Sequence, residues 1–417
     1  MRSKSGLSKK CGCWAGPRCR AGARTRWKRR KEKFVNTLRC IAKVKKLCWH
    51  TKFGEIEVLE PQYRFENTRV RPFLSSAKVV PRGCSRPLLR VIADFAADQP
   101  FAVARLKLLE HYGFEIGEST IQRITLGHAQ AMHAQAEADL DRQEFPQTAG
   151  RHKEIVAQTD GGMIPIVEPD ASQKDKRKGK TLAWREAKIC LAHAKGSQTP
   201  VYAGTIAGGV ETAGQQLLGC AIRAGFGANS RVHAVGDGAP WIVGQVAEQF
   251  AAQGSYLIDF YHVCEYLSAA AKAVAADAAA QQAWMDGQKD ALRTGRLDQV
   301  LRALAGHIEP PETDDDCAPV RRCHRYLSER RTHLNYRDAL ADDLPIGSGE
   351  IESAHRYIAQ QRLKRPGAWW RVDHADYMLA LRINRRNGDW AAYWAALGKA
   401  GAPANHNQPA ASRRPAA

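Results

Sequence analysis

The spacing of hydrophobic positions divides the chain into a helical region followed by a region of alternating strands and helices. Between residues 87 and 140, apolar side chains recur every three or four positions, which predicts three amphipathic helices, the last reaching Leu140. From about Glu154 the pattern changes to five short apolar runs that are typical of strands. They lie at residues 155–167, 183–192, 201–206, 232–235 and 256–258, with helices expected at 212–224 and 239–252. Three leading strands followed by alternating helices and strands predict a mixed α/β sheet.

The flanking regions have different patterns. Residues 53–59 alternate apolar and acidic side chains as a short strand does, whereas residues 263–345 are alanine-rich and almost entirely helix-like. A further helix is expected to begin near Gly349. Residues 397–417 contain too few apolar side chains to fold, so we expect a disordered tail.

Positive charge is concentrated at the start of the chain. The 417 residues carry a net charge of +20, most of it in residues 1–52, which hold 18 lysines and arginines against one glutamate. This segment is predicted to be a flexible basic arm that binds nucleic acid through counterion release, with a merely solvated tail as the alternative.

The start of the chain is charged rather than apolar, and no run of about 18 apolar residues follows it. We therefore expect neither a signal peptide nor a membrane span, and a cytoplasmic, nucleoid-associated protein with reduced cysteines. Five cysteines near the start could suggest a zinc site, but they lack the paired C-x2-C spacing of zinc knuckles, so we favour the alternative that they are incidental. They are Cys11, Cys13, Cys19, Cys40 and Cys48.

Two of the apolar runs end in an aspartate beside glycine. Asp160 is followed by two glycines, and Asp237 lies between two others; an acidic helix start much later contains Glu350 and Glu352. Positions 350 and 352 point about 200° apart on a helix, so at most one of them can face the aspartates. Glu352 shares its side with His355, and we therefore predict that Glu352 acts in chemistry while Glu350 interacts with the helix dipole.

Carboxylate oxygens are the ligands that magnesium prefers. Taken singly, an Asp-Gly pair is more often a turn. Together, Asp160, Asp237 and Glu352 could hold two magnesium or manganese ions about 3.5–4 Å apart, an arrangement that promotes in-line phosphodiester displacement. Asp259 and His262 lie on one face of a helix start. They could orient a metal-bound water, hold the surroundings of the second aspartate or cap the helix, and chemistry alone favours capping.

Three groups of residues are candidates for DNA contact. Ser119, Thr120, Gln122 and Arg123 begin the helix that follows the Gly113 turn, as in a helix-turn-helix, although an ordinary helical hairpin is an equal alternative. The second group is a basic helical face, and the third mixes cations with an aromatic side chain after the glutamate helix. The second group is Arg321, Arg322 and Arg325, and the third is Arg362, Lys364, Arg365 and Trp369.

Four motifs together resemble those of bacterial insertion-sequence transposases of the DDE type, most closely the Kra-type family, which is related to Mutator-like elements. The motifs are TDGG at 159–162, VGDGAPWI at 235–242, IDFYHVCEYL at 258–267 and IGSGEIESA at 346–354, extended by residues 361–382. The resemblance covers residues 52–395. It implies a ribonuclease H-like sheet core interrupted by an all-helical insertion, with Asp160, Asp237 and Glu352 as metal ligands. Asp259 and His262 match an Asp-x-x-His element of the Mutator-like relatives.

The expected activity is metal-dependent cleavage at transposon ends and strand transfer into double-stranded target DNA, by a homo-oligomer because two ends must be held together. The alternatives are an inactive DNA-binding protein of the same fold and a nuclease that cuts without joining. The expected organisation has six parts. They are the basic arm 1–52, a helical DNA-binding region 53–150, the core 151–262, the insertion 263–345, the remainder of the core 346–396 and the tail 397–417.

Overall fold

A computed structural model describes residues 39–65, 68–71, 83–113, 115–142, 152–170, 172 and 179–400. Most of the basic arm, Cys11, Cys13, Cys19, the side chain of Cys40 and residues 401–417 of the predicted tail lie outside the described residues. The chain divides into two compact units. One comprises residues 1–128 together with 389–417, and the other comprises residues 129–388.

The first unit contains a small antiparallel sheet and a group of helices. Its strands, in the order β1-β2-β3, are β1 (Arg39–Thr51), β2 (Gly54–Phe65) and β3 (Thr68–Val70). Its helices are α1 (Arg86–Asp98), α2 (Phe101–Tyr112) and the start of α3 (Glu118–Asp141), which continues into the second unit. Their shared core includes Leu88, Ile92, Leu108 and Ile121. Ser85 caps α1 and left-handed Gly113 ends α2, so the three helices follow the predicted pattern.

The β1–β2 hairpin corrects the prediction of a flexible arm through residue 52, because Arg39–Thr51 is a strand and residue 52 lies in the hairpin turn. Lys46 of this strand forms an ion pair with Glu57 on β2. The next residue, Leu47, is fully buried. The high net charge of the segment therefore concealed a strand that has a buried apolar side chain and an ion pair across the sheet.

The second unit contains the predicted mixed α/β sheet. Its five strands are β4 (Glu154–Pro169), β5 (Lys180–Ala194), β6 (Val201–Thr205), β7 (Arg231–Gly236) and β8 (Gly254–Ile258). Their spatial order is β6-β5-β4-β7-β8; β5 is antiparallel to β4 and β6, while β4, β7 and β8 are parallel. One face packs against α4 (Val210–Arg223) and α5 (Pro240–Phe250) through a buried apolar core.

Helices fill the segment after β8, as predicted for residues 263–345. They are α6 (Phe260–Val274), α7 (Ala278–Arg293), α8 (Leu297–Ala305), α9 (Pro319–Glu329) and α10 (Tyr336–Ala341). We call this group the insertion. Its core contains Leu267, Leu292, Leu327 and Tyr336 and continues to Ile258 at the edge of the sheet.

The chain then returns to the sheet through a helical segment of mixed geometry. It consists of α11 (Gly349–Ala354), a π-helical turn (His355–Gln360) and α12 (Gln361–Leu363). Helix α13 (Val372–Arg386) follows, and α14 (Trp390–Ala400) belongs to the first unit. The first four residues of the predicted tail are thus helical. None of the helices in the described ranges is both long enough and apolar enough to span a membrane.

Candidate active site

The register of two parallel strands brings the glycine-flanked aspartates together. Glu154 on β4 pairs with Arg231 on β7, and Gln158 pairs with Val235. Continued by two residues, this register sets Asp160 beside Asp237, on neighbouring chain segments that lie roughly 5 Å apart in a sheet. Asp160 is half-buried and Asp237 is exposed.

Electrostatics supports this proximity. Burial raises the pKa of Asp160 above its ordinary value, and the charges of Asp237 and Glu186 raise it further, while His355 and the Gly161 N–H oppose the rise. The Gly161 N–H donates to Asp160 Oδ1 over 2.7 Å. Asp160 is therefore a carboxylate that neighbouring negative charge disfavours, and a bound cation would offset that cost.

His355 fixes the backbone at Asp160. Its Nε2 atom lies 3.0 Å from the Asp160 carbonyl oxygen and 3.7 Å from Asp160 Oδ2, and the ring is buried. A Cβ atom at Gly162 would come within 2.7 Å of His355 Nδ1. Gly162, the second glycine after Asp160, is thus needed for the imidazole to reach the strand.

The same helical segment carries Glu352 to this face of the sheet. The Ile351 N–H donates to Oε1 of buried Gln158, 3.0 Å away, two positions before Asp160 and on the same face of β4. Glu352 lies between this contact and His355, one helical turn before the imidazole. Its side chain is exposed and forms no hydrogen bond or ion pair with any residue that the structure describes.

Glu350 has a partner elsewhere. Its Oε2 atom lies 2.9 Å from His193 Nε2, and this interaction raises the pKa of His193. Glu350 is in the first turn of α11, as the helix-dipole prediction requires, but its direct contact is with β5. The two glutamates therefore differ, since the side chain of Glu350 pairs with His193 and that of Glu352 has no partner among the described residues.

Two tyrosines hold the loop at Asp237. The Tyr326 hydroxyl, from α9 of the insertion, donates to the Asp237 carbonyl over 2.8 Å, and the Gly238 N–H donates to the Tyr256 hydroxyl over 2.9 Å. Gly238 has a left-handed φ of 84°, and a Cβ there would lie 2.8 Å from the Tyr326 hydroxyl. One side-chain oxygen of Asp237 accepts the Ala239 N–H over 2.9 Å. The insertion thus helps to fix the second aspartate.

Asp259 links the insertion to the start of α11. Its Oδ1 accepts the N–H groups of Tyr261 and His262, at 2.6 and 3.1 Å, which caps α6. Its Oδ2 accepts the N–H of Ser348 at 2.6 Å and also the Ser348 hydroxyl. Asp259 is buried, and these bonds occupy both oxygens. Of the roles that the sequence left open, capping is observed, together with the tethering of Ser348.

His262 faces the aromatic side chains of the insertion. Its ring lies edge-on to Tyr326, with centroids 5.9 Å apart, and its Nδ1 atom is 3.6 Å from Glu265. It thus contacts the tyrosine that binds the Asp237 carbonyl. Any effect of His262 on Asp237 is expected to act through Tyr326.

The donor set of this site suits hard divalent cations, since it presents carboxylate oxygens on three segments. Among the described residues, three His, Cys, Asp or Glu ligand atoms lie mutually within 4.8 Å only at Cys48, Glu55 and Glu57. The ligand atoms of Asp160, Asp237 and Glu352 are therefore farther apart than a single ion requires. Two ions shared among the three acids do not require all three ligand atoms to be that close.

The candidate DNA contacts differ in exposure. Ser119, Gln122 and Arg123 are exposed on the first turns of α3, whereas Thr120 is half-buried. In the insertion, the basic face is largely paired within the fold: Arg321 and Arg325 both bind Asp315, and Arg322 lies 4.0 Å from Asp316. The acidic loop before α9 thus folds back onto the helix and pairs with the arginines that were predicted to form a basic face, and their contact with DNA stays a prediction.

The cluster after α12 is also split. Arg362 is buried, with its guanidinium 4.7 Å from the Trp370 ring centroid, so it is not available to DNA. Trp370 is core, while Trp369 remains 41% exposed and meets the 54% exposed Trp184 edge-on. Lys364 lies over Trp184, and half-buried Arg365 donates to the Gln361 carbonyl.

Comparison with known protein families and with curated proteins finds no significant match.

Several residues of the site escaped the sequence prediction. No role was predicted for His355, although its position one turn after Glu352 was a usable signal. Gln158 is a buried polar residue within an apolar strand, which also marks it. Ser348 and Tyr326 carry no local sequence signal, since their roles come from contacts with segments 89 residues away.

Proposed function

We propose that this chain is a DNA transposase of the DDE type that cleaves DNA at the ends of an insertion sequence and joins them to target DNA. The observation that carries the proposal is the β4–β7 register, which sets Asp160 beside Asp237. The contacts of α11 with Gln158 and Asp160 add Glu352 to the same face. Three acids from distant segments are thus carried to one region of the sheet, on a chain with a net charge of +20.

The strand order supports a ribonuclease H-like core. Three antiparallel strands, β6, β5 and β4, are extended by parallel β7 and β8 so that β4 is the central strand of the sheet, which is the arrangement expected for such a core. The helical insertion between β8 and α11 agrees with the resemblance of the motifs. Both features also suit a nuclease of the same fold, so the fold alone does not choose between cutting and joining.

Asp160, Asp237 and Glu352 would hold two magnesium or manganese ions. Such ions lower the pKa of a water or a 3′-hydroxyl and neutralise charge on the leaving oxygen. Burial, and to a smaller extent the charge of Asp237, raises the pKa of Asp160, and bound cations would favour the charged carboxylate. In this scheme the acids act as ligands, and none of them has to transfer a proton.

The other residues of the site would act by positioning. His355 holds the backbone of Asp160, Tyr326 holds the carbonyl of Asp237, and Asp259 holds Ser348 immediately before α11. The backbones of Asp160 and Asp237, and the residue that precedes the helix of Glu352, are therefore each held by a buried or half-buried hydrogen bond to another element. Such anchoring keeps the carboxylates in place before metal and DNA arrive.

Two exposed surfaces are suited to DNA. Ser119, Gln122 and Arg123 on α3 would contact base edges in duplex DNA. Trp184 and Trp369, with Lys364 5.6 Å from the Trp184 ring, form what we call the aromatic platform. A cation beside exposed indoles suits a DNA end with unpaired bases. Because two ends must be held together, we propose that the chain acts as a homo-oligomer on DNA.

A joining assay tests the proposal. Labelled oligonucleotides that carry the DNA flanking the coding sequence are incubated with a supercoiled plasmid, the full-length chain and magnesium or manganese. We expect labelled plasmid with the wild type and none with Asp160→Asn. Cleaved ends without joining would favour the nuclease, and binding without either product would favour an inactive DNA-binding protein. Undiminished joining by Asp160→Asn would overturn the assignment of the site.

A further inference from the structure

The exposed face of the β1–β2 hairpin gathers four metal-ligating side chains. The two strands pair Cys48 with Glu57 and His50 with Glu55. Because side chains alternate along a strand, these four residues share one face of the sheet. The opposite face of β1 carries Leu47, which is fully buried. The four side chains are therefore adjacent on a two-by-two patch that a small ion can reach.

Their ligand atoms converge. One atom each from Cys48, Glu55 and Glu57 lies within 4.8 Å of the other two. His50 Nδ1 lies 3.5 Å from Glu55 Oε2 and so borders this group of three, although it is not within 4.8 Å of all three ligand atoms. The patch offers one sulfur, one nitrogen and two carboxylate donors, the number that a tetrahedral ion needs.

The ligand types indicate which ion would bind. Magnesium and calcium prefer all-oxygen sites, whereas zinc accepts thiolate, imidazole and carboxylate ligands together. The Lys46 ammonium balances part of the charge through Glu57 and stands on a flexible side chain that an ion could displace.

We propose that Cys48, His50, Glu55 and Glu57 bind one zinc ion on the exposed face of the β1–β2 hairpin. The site goes beyond the proposed function and is independent of the three acids of the sheet. The ion would act structurally. A two-stranded hairpin is marginal in water, and its third strand here is only three residues long. Zinc bound across β1 and β2 would cross-link them, so that its binding energy stabilises the fold.

Metal binding by the full-length chain tests the site without DNA. The reduced protein is stripped with a chelator and titrated with cobalt, whose thiolate complexes absorb in the near ultraviolet, and then with zinc against a chromophoric chelator. The wild type is expected to show thiolate–cobalt absorption that zinc abolishes and magnesium does not. Cys48→Ser should remove the contribution of this thiolate and weaken zinc binding by roughly 100-fold or more, since even outer-shell changes cost about 10–100-fold.

Two further variants complete the test. Cys264→Ser is the matched control, because Cys264 is also a partly exposed free cysteine but lies on α6, and it should leave the cobalt spectrum unchanged. Glu57→Gln keeps the side-chain shape and should weaken zinc binding by about tenfold or more. If Cys48→Ser does not fold, Glu57→Gln decides the question. Wild-type absorption and affinity in both Cys48→Ser and Glu57→Gln would overturn the proposal.

Discussion

At the scale of single residues, the glycines beside the acids mark places where another side chain approaches the backbone. Gly162 admits the imidazole of His355, and Gly238 combines a left-handed backbone with the approach of Tyr326. The sequence could show that bulk is missing at these positions. It could not show which side chain uses the space, because His355 and Tyr326 arrive from segments far along the chain.

Substitution of Gly162 by alanine measures this approach. The added Cβ would lie 2.7 Å from His355 Nδ1, so we expect the free energy of unfolding to fall by about 1–3 kcal/mol. The matched control is Gly127→Ala on exposed α3, where no atom lies within 4 Å. That change should stabilise the protein by about 0.5–1 kcal/mol. Chemical denaturation of both variants gives the comparison, and equal effects would contradict it.

His128 makes stability depend on pH. It is buried in the first unit with Nδ1 2.9 Å from the Tyr393 hydroxyl, and burial lowers its pKa from 6.5 to about 4. Between these pH values the histidine binds a proton more readily in the unfolded chain than in the folded one. The contribution of His128 to the free energy of unfolding is therefore fully present above pH 6.5, and it is lost as pH falls towards 4, by up to roughly 3 kcal/mol.

Denaturation midpoints measured from pH 7 to pH 4 check this dependence. His128→Gln should flatten the pH dependence, whereas His307→Gln, at an exposed position of the insertion, should leave it as in the wild type. The same slope in wild type and His128→Gln would show that other groups cause the loss.

At the scale of elements, the helices and strands were largely predictable because their apolar spacing is regular. All five strands and both helices of the sheet core occur within a few residues of their predicted places. The partners of the charged side chains were not predictable in this way. The arginines of α9 were predicted to form a basic helical face, but Asp315 and Asp316 of the preceding loop fold back and pair with them. Partners supplied by a loop are invisible to helical periodicity.

Asp259 offers a test of how α11 is positioned. Asp277 caps α7 through one bond to the Ala280 N–H, so Asp277→Ala should cost about 1 kcal/mol of unfolding free energy. Asp259→Ala also leaves the buried N–H and hydroxyl of Ser348 without their acceptor, and should cost about 2–4 kcal/mol. Thermal or chemical unfolding gives both values. A cost for Asp259→Ala no greater than that for Asp277→Ala would contradict the tethering role.

At the scale of the whole molecule, the sequence predicted the α/β class and the helical insertion, but not how the segments share units. Helix α14 belongs to the first unit, and the described part of that unit contains the three-stranded sheet β1-β2-β3 in addition to helices. Long-range pairing of this kind depends on contacts that no local pattern encodes. The proximity of Asp160 and Asp237 could be predicted only on the assumption that their two strands, β4 and β7, are parallel neighbours in the sheet.

The aromatic platform predicts a preference for DNA ends with unpaired bases. Trp184→Ala combined with Trp369→Ala should weaken binding to a duplex with a single-stranded end by about tenfold or more, since each stacked base contributes about 1–3 kcal/mol. Binding to a blunt duplex should change little. Phe53→Ala removes an exposed aromatic ring from the first unit and serves as the control in fluorescence anisotropy. Equal losses on both DNAs would contradict a stacking role.

The central claim is that Asp160, Asp237 and Glu352 act as one metal site, and the two glutamates of α11 test it most directly. In the joining assay with magnesium, Glu352→Gln should reduce the rate by roughly a thousandfold or more, as expected for the loss of several kcal/mol of transition-state stabilisation. Glu350→Gln removes only a partly exposed pair with His193 and should stay within a few-fold of wild type. The reverse order, or equal rates, would contradict the account.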